Sequence, residues 1–88
     1  MRAIWDLEDD PRGNVHHIAK HGLDIEDVEY VLAHPTSYGQ SRRSGRPCVL
    51  GYTQDGRHIM VIYDEVDEET IYVVTAFKPR KRDFTGGT

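Results

Sequence analysis

The spacing of the apolar residues changes once along this chain of 88 residues, at Pro35. Before Pro35, apolar residues recur three and four positions apart, as they do on one face of a helix. After Pro35, short runs of β-branched and aromatic residues alternate with turn signals, as they do in a set of strands. A chain of this length forms one domain, so the helical half and the strand half must share a single small core.

Two helices are predicted in the first half, at about 11–21 and 24–34. The pair Asp10 and Pro11 suits the start of the first helix, because an aspartate accepts from free backbone N–H groups and a proline fits the first helical turn. Gly22 is expected to end this helix with a left-handed cap. Upstream of both helices, the Ile-Trp pair forms either a short strand or an anchoring segment.

Three strands are predicted in the second half, with the sequences RPCVLGYT, HIMVIY and TIYVVTAF. The first two are joined by QDGR, in which Asp-Gly is a strong hairpin signal, and the last two by the charged turn DEVDEE. A short edge strand near Tyr38 would make four. We therefore predict an α+β domain whose two N-terminal helices pack on one face of a three- to four-stranded antiparallel meander sheet. The predicted core consists of Trp5, Val15, Ile18, Val28, Leu32, Ile59, Val61 and Val73.

Both faces of the central predicted strand are apolar, since Ile59 and Val61 alternate with Met60 and Ile62. A strand of this kind is expected where both faces of the sheet are covered. Two short helices can cover only one face. The other face is therefore predicted to contact a partner protein or, alternatively, a second copy of the chain in a homodimer.

The formal net charge of -4 conceals a block arrangement. Acidic residues dominate before residue 42 and in DEVDEE, whereas basic residues dominate 42–63 and the segment KPRKRD. The overall charge opposes nucleic-acid binding, but the two basic segments can bind phosphates locally. The simpler alternative is that these segments are solvated and that 79–88 is a flexible basic tail.

The location of the protein is predicted from three features. Cys48 is the single cysteine and cannot form an internal disulfide. The first ten residues, MRAIWDLEDD, lack the apolar core of a signal peptide. No apolar run approaches the ~18 residues that suggest a membrane span. We therefore expect a cytoplasmic protein that makes no membrane contact.

Three of the five histidines lie in the segment NVHHIAKHG, residues 14–22. On a helix, His17 and His21 are surface neighbours, and their spacing also suits two metal ligands. No third ligand or cysteine pair accompanies them, and Ile18 stands where the helical zinc motif HExxH needs a glutamate. The sequence therefore predicts no metal site and no cofactor, and a metal-dependent hydrolase is the weakest alternative.

The chain as a whole resembles the BrnT-type toxins of bacterial type II toxin–antitoxin pairs. The resemblance runs from Trp5 to about Lys78, through WDxxxDPxxNxxHIxKHGLDIEDVEYVL, GRPCVLGYTQDGRHIMVIY and IYVVTAF. Each motif alone is weak, and their combination and order carry the resemblance. It implies that 1–88 is a single BrnT-like domain with a RelE-like ribonuclease fold.

The resemblance also implies an activity, which is metal-independent cleavage of RNA by attack of a ribose 2′-OH on the adjacent phosphate. Such a site needs groups that accept and donate protons, and cations for the phosphate charge. The implied partners are the RNA substrate and an antitoxin with a DNA-binding domain of the ribbon-helix-helix type. The family's functional residues can be transferred to the matching positions of this chain. This transfer gives His21, Lys20 and Arg57 as the expected catalytic groups. Lys78, together with Arg80 and Arg82 of the basic segment, is expected to bind phosphate.

Two departures from that family leave another function open. Phe77 stands where the family often has a basic residue, and Pro79 and the Gly86-Gly87 pair disfavour the family's usual basic C-terminal helix. The alternative is a non-catalytic protein-binding module that acts through its apolar sheet face, with the charged residues above merely solvated. The strand tyrosines are likewise open to two interpretations, either stacking on bases or half-buried core, and they are Tyr52, Tyr63 and Tyr72.

Overall fold

The computed structural model describes residues 1–85 as a six-stranded sheet with two short helices. In chain order the elements are β1 (Arg2–Ile4), α1 (Asn14–Ala19), α2 (Ile25–Ala33), β2 (Ser37–Ser41), β3 (Pro47–Tyr52), β4 (His58–Glu65), β5 (Thr70–Phe77), a 3₁₀ turn (Lys81–Asp83) and β6 (Phe84–Thr85). Across the sheet the strands lie in the order β1-β5-β4-β3-β2-β6. Neither helix in this part of the chain is long and apolar enough to cross a membrane.

The predicted fold class, two helices on a three- to four-stranded antiparallel meander with a RelE-like arrangement, is wrong. The meander from β2 to β5 is present, but the sheet has six strands and is mixed. At one edge, β1 runs parallel to β5, with Arg2 opposite Thr70. At the other edge, β6 pairs with the end of β2, and Ser41 lies opposite Phe84. Strands this short contain too few residues to show a period, so their pairing depends on contacts made only in the folded chain.

The strand β6 lies within the segment that was predicted to be a flexible basic tail. Its backbone pairs with Gln40 and Ser41, and the 3₁₀ turn precedes it. The Gly86-Gly87 pair, which entered the prediction of a tail, lies outside the described residues.

The first helix is shorter than predicted at its start. It begins at Asn14, not at Pro11, with Gly13 as the preceding residue. A Cβ atom on Gly13 would lie 2.6 Å from the Cβ of Asp6, so only glycine fits at this position. Glycine suits such a close approach because it has no side chain.

The first helix ends at Ala19, before the predicted end at about 21, but Gly22 has the predicted left-handed conformation, at φ 77°. Its N–H donates to Ala19 O at 3.0 Å, and the N–H of Leu23 donates to Ile18 O at 3.1 Å. These two bonds form the Schellman arrangement, in which the flanking apolar residues pack together. Ile18 and Leu23 are both buried.

A buried polar network joins β1, α1 and β5. Asn14 is 2% exposed, and its side-chain amide donates to Ile4 O at 2.9 Å and to Val73 O at 3.0 Å. Its Oδ1 accepts from the backbone N–H of Asp6, and its own N–H donates to Asp6 Oδ2, both at 2.8 Å. The hydroxyl of Tyr72 donates to the same carboxylate oxygen at 2.5 Å. One asparagine thus fixes the first helix against two strands.

Each face of the sheet has its own apolar cluster. The helices cover the first cluster, in which the predicted residues Ile18, Val28, Ile59, Val61 and Val73 are buried. Three further predicted core residues, Trp5, Val15 and Leu32, are only partly buried. The second cluster, on the face away from the helices, consists of Cys48, Leu50, Met60 and Ile62, with Val74, Phe77 and Phe84 packed against it.

We expect Asn14→Ala to lower the free energy of unfolding by about 2–4 kcal/mol, because it leaves buried carbonyl and N–H groups without partners. Urea denaturation measures this change. His16→Ala, on the exposed side of the same helix, is the matched control and should be nearly neutral. A loss for Asn14→Ala no larger than that of His16→Ala would contradict the role given to this asparagine.

The same network predicts a dependence on acid. The pKa of Asp6 is lowered, chiefly by the hydrogen bond from Tyr72 and then by that from the Asn14 backbone. The same bond to Asp6 raises the pKa of Tyr72 to about 12. Since the folded-state pKa of Asp6 lies below its unfolded value, its contribution is present above the unfolded pKa and is lost as the pH falls through the folded pKa. Stability should therefore decrease below about pH 4.

The variant Asp6→Asn tests this dependence, because it has no carboxylate to protonate. It should be less stable than the parent at neutral pH, and the difference should shrink as the pH falls. Denaturation at a series of pH values measures both effects. Parallel stability curves for parent and variant would show that this carboxylate does not contribute.

Candidate functional site

A groove of about 750 Å³ lies on the sheet face away from the helices. Strands β4 and β5 form its floor, the β2–β3 turn and the C-terminal segment form two sides, and two histidines of the first helical region border it. We call it the arginine groove. Its floor is mainly Met60, Ile62, Val74 and Phe77, and its polar border includes His17, His21, Arg42, Arg43, Arg46, Arg80, Arg82 and Asp83.

The arginine groove is electropositive. Of its five arginines, only Arg46 forms an ion pair within residues 1–85, with Nε 2.8 Å from Asp64. The groove has one acidic side chain, Asp83, whose carboxylate accepts from the backbone N–H of Arg80 at 2.7 Å. An anion is therefore attracted to this groove despite the net negative charge of the chain.

Two distant segments supply these arginines, and backbone hydrogen bonds hold the segments together. In the β2–β3 turn, the N–H of Ser41 donates to Arg46 O, and the N–H of Gly45 donates to Ser41 O, both at 2.8 Å. The N–H of Arg42 donates to Asp83 O at 3.0 Å. The turn is thus tied to the C-terminal segment, and the guanidinium groups of both border one groove.

The two histidines stand side by side at the border of the groove. The ring centroids of His17 and His21 are 5.6 Å apart, and the ring of His21 lies 5.9 Å from that of Phe77. Both histidines are exposed. Two imidazole groups and several cations therefore surround one apolar floor, which is an arrangement able to move protons beside a bound anion.

A second cavity of about 540 Å³ lies beside the β3–β4 hairpin, and we call it the hairpin cavity. His21 borders both the arginine groove and the hairpin cavity. The residues that line the hairpin cavity are His21, Leu23, Gly56, Arg57, His58, Ile59 and Lys78.

The structure brings most of the residues expected from the sequence to these two places. His21, Arg57 and Lys78 meet at the hairpin cavity, and His21 meets Arg80 and Arg82 at the arginine groove. Lys20 is exposed at the end of the first helix and lines neither of them. Catalytic and phosphate-binding roles for these side chains stay predictions.

Arg57 is held by the protein itself. Its Nη1 donates to Gly22 O at 2.7 Å, its Nη2 lies 3.1 Å from Asp27, and its Nε lies 3.1 Å from both oxygens of Asp55. These bonds raise the pKa of Arg57, chiefly through Asp55. Hydrogen bonds from Thr53 and then Arg57 lower the pKa of Asp55. Arg57 thus fastens the turn after His21 to the hairpin, and its charge is compensated by two carboxylates.

We expect Arg57→Ala to lower the melting temperature, because it removes bonds to three separate segments. Arg46→Ala is the matched control, since it removes a single exposed ion pair, and such pairs contribute only about 0–1 kcal/mol. Thermal unfolding followed by circular dichroism compares the two. Equal and small effects of both substitutions would show that Arg57 does not fasten the turn.

Several residues of the site were missed or misplaced in the sequence analysis. Arg42 and Arg43 were seen only as part of a basic segment, and no feature of the sequence placed them beside the C-terminal segment. His17 was considered only as a possible metal ligand beside His21, yet it borders the groove. A histidine four positions from another on a helix was the available signal.

Comparison with known families finds one match, to a family described as "Domain of unknown function (DUF4258)", over residues 15–78. The matched segment is well over half of the chain and contains His17, His21, Arg57 and Lys78, but it ends before Arg80. Searches among curated proteins and among solved structures find no significant match.

Proposed function

Because the chain belongs to the DUF4258 family, whose description assigns no activity, we propose its function from the site and from the resemblance to BrnT-type toxins. The proposed function is that of a metal-independent endoribonuclease, the toxin of a type II toxin–antitoxin pair, acting in the cytoplasm. The observation that carries the proposal is the position of His21, at the point where the arginine groove and the hairpin cavity adjoin.

The arginine groove suits single-stranded RNA. Arg42, Arg43, Arg80 and Arg82 make no ion pair within residues 1–85, so their guanidinium groups can bind phosphate oxygens in pairs. The ring of Phe77, which lines the groove and is only partly buried, offers a surface on which a base can stack. Bases of a single strand can reach such a ring, whereas those of a duplex are stacked and paired.

The proposed reaction is an internal displacement at phosphorus. The ribose 2′-oxygen forms a bond to the adjacent phosphorus, and the bond from phosphorus to the 5′-oxygen breaks. One group removes the proton of the 2′-OH, and another gives a proton to the leaving oxygen, which yields a 2′,3′-cyclic phosphate and a 5′-hydroxyl. His21 and His17 are the proposed proton-transfer pair, and the arginines stabilise the charge that develops on the phosphate.

The binding-module alternative receives less support. It requires an exposed apolar sheet face, but Cys48, Leu50, Met60 and Ile62 are all at most 7% exposed. Phe84 of the chain's own C-terminal segment packs against this cluster. An antitoxin with a ribbon-helix-helix DNA-binding domain stays the proposed partner, and a homodimer is the alternative.

Two substitutions should affect RNA cleavage in different ways. His21→Ala should lower kcat by ~10²–10⁴-fold, because it removes a proton carrier. Arg82→Ala should instead raise KM and reduce the dependence of binding on salt by about one phosphate contact. Cleavage of a labelled oligoribonucleotide in the presence of a chelator, at several salt concentrations, measures both.

The control for these variants is Arg12→Ala, since Arg12 is an exposed arginine that lines neither the arginine groove nor the hairpin cavity. It should cleave as the parent does. If His21→Ala cleaves as fast as the parent, the site assignment is wrong. If the parent itself does not cleave RNA, the proposed activity is wrong.

The toxin role has its own test. Induced expression of the parent should arrest growth and degrade cellular RNA, and His21→Ala should do neither at an equal protein level. Co-expression with the neighbouring gene should restore growth. Arrest by the His21→Ala variant would separate toxicity from this site.

A further inference from the structure

We propose that the arginine groove and the hairpin cavity are two halves of one RNA-binding path, which holds nucleotides on both sides of the scissile phosphate. The inference rests on the proposed function and adds where the second half of the substrate lies. It assigns to the hairpin cavity the binding of a nucleotide on one side of the cleaved bond.

The two cavities adjoin at one end of strands β4 and β5. His21 borders both. On β4, Met60 lines the groove, whereas the preceding Ile59 faces the other side of the sheet and lines the hairpin cavity. At the end of β5, Phe77 lines the groove and the following Lys78 lines the hairpin cavity. A chain that leaves the groove past Phe77 would therefore reach the hairpin cavity by passing round this end of the sheet, beside His21.

The hairpin cavity has the chemistry that a nucleotide requires. Lys78 is exposed and forms no ion pair within residues 1–85, so its ammonium group can bind a phosphate. The ring of His58 lies 4.8 Å from that of Tyr52, at an interplanar angle of 31°. His58 lines the cavity and Tyr52 does not, but Tyr52 is 51% exposed, so the two rings present a stacking surface that begins at His58 and continues outside the cavity.

Two carboxylates lie close to this cavity, but neither lines it. Asp27 and Asp55 both pair with Arg57, which lines the cavity. The guanidinium group between them offsets one of their two negative charges and Lys78 offsets the other, so a phosphate is held here by direct contact with the ammonium group of Lys78, which has no ion pair within residues 1–85. The side chain of Arg57 lines this path and, through its bond to Gly22 O, holds the turn after His21 in place.

The sizes of the cavities fit one strand better than two unrelated ligands. Each volume lies within the ~300–1,000 Å³ typical of ligand pockets, so each can hold a nucleotide. Because His21 is common to both, a strand that occupies both places a phosphate beside this histidine. Two independent ligands would not need a shared proton carrier.

The test uses oligodeoxynucleotides that contain a single ribonucleotide, so that only one bond has the 2′-OH needed for cleavage. One series adds nucleotides on the 5′ side of this bond, and the other adds them on the 3′ side. Additions on each side should raise kcat/KM by about tenfold or more, since one stacked base contributes that much affinity. The full-length protein is used throughout.

Substitutions on the two sides should then separate the two series. Lys78→Ala should abolish the gain from additions on one side, and Arg82→Ala should abolish the gain on the opposite side. Arg12→Ala should leave both gains unchanged, and circular dichroism checks that all variants are folded.

The outcomes distinguish this inference from the proposed function. If the parent cleaves but gains from additions on only one side, or if Lys78→Ala and Arg82→Ala reduce the same series, the two-sided path is wrong and the nuclease proposal stands. If the parent cleaves no substrate of either series or any longer RNA, the proposed function fails and the path fails with it.

Discussion

The side chain of Asn14 is the contact on which the rest of the structure depends. Its amide donates to Ile4 O and Val73 O, and its Oδ1 accepts from the N–H of Asp6, while the backbone N–H of Asn14 donates to Asp6 Oδ2. These bonds connect β1 and the loop after it, the start of α1 and the middle of β5. Without it, the first helix would have only a few apolar contacts to set its position, because it is six residues long. Tyr72 adds a bond to the carboxylate of Asp6 and extends the network to the neighbouring strand position. The helix that carries His17 and leads into the turn with His21 is therefore positioned by polar groups as much as by its core.

The arginines of this chain have two different roles, and the role of each depends on whether carboxylates lie next to it. Arg57 is enclosed by Asp27 and Asp55 and by the carbonyl of Gly22, and it fastens the turn that follows His21. Arg42 and Arg82 have no such acidic partners within residues 1–85 and border an open groove. A fixed arginine orients the proposed proton carrier, whereas the unpaired arginines attract the anion. Sequence position alone does not distinguish these roles, since the acidic partners of Arg57 lie partly on another element.

Local sequence signals predicted the features that depend on neighbouring residues, which are the helix caps and the hairpin turn. Gly22 has the left-handed conformation expected after the first helix, and Asp24 caps the start of the second helix. The Asp-Gly pair lies in the β3–β4 hairpin, where Gly56 has φ 90°. The parallel pairing of β1 and the pairing of β6 could not be predicted, because they join residues far apart in sequence through very short segments. For the same reason the sequence showed the basic segments but not the groove that they form together. The burial of Asn14 could not be predicted either, because a helical projection places it beside the histidines and the loop that covers it comes from β1.

The most direct test of the proposed site is to map which residues RNA contacts. An oligoribonucleotide with 2′-O-methyl groups, which cannot be cleaved by internal attack, can be titrated into isotope-labelled protein and followed by NMR. The account predicts chemical-shift changes at His17, His21 and Phe77 and at the side chains of Arg42 and Arg82, with little change along the exposed side of α2. Changes confined to α2 or to the acidic β4–β5 turn, or the absence of any change at saturating RNA, would contradict it.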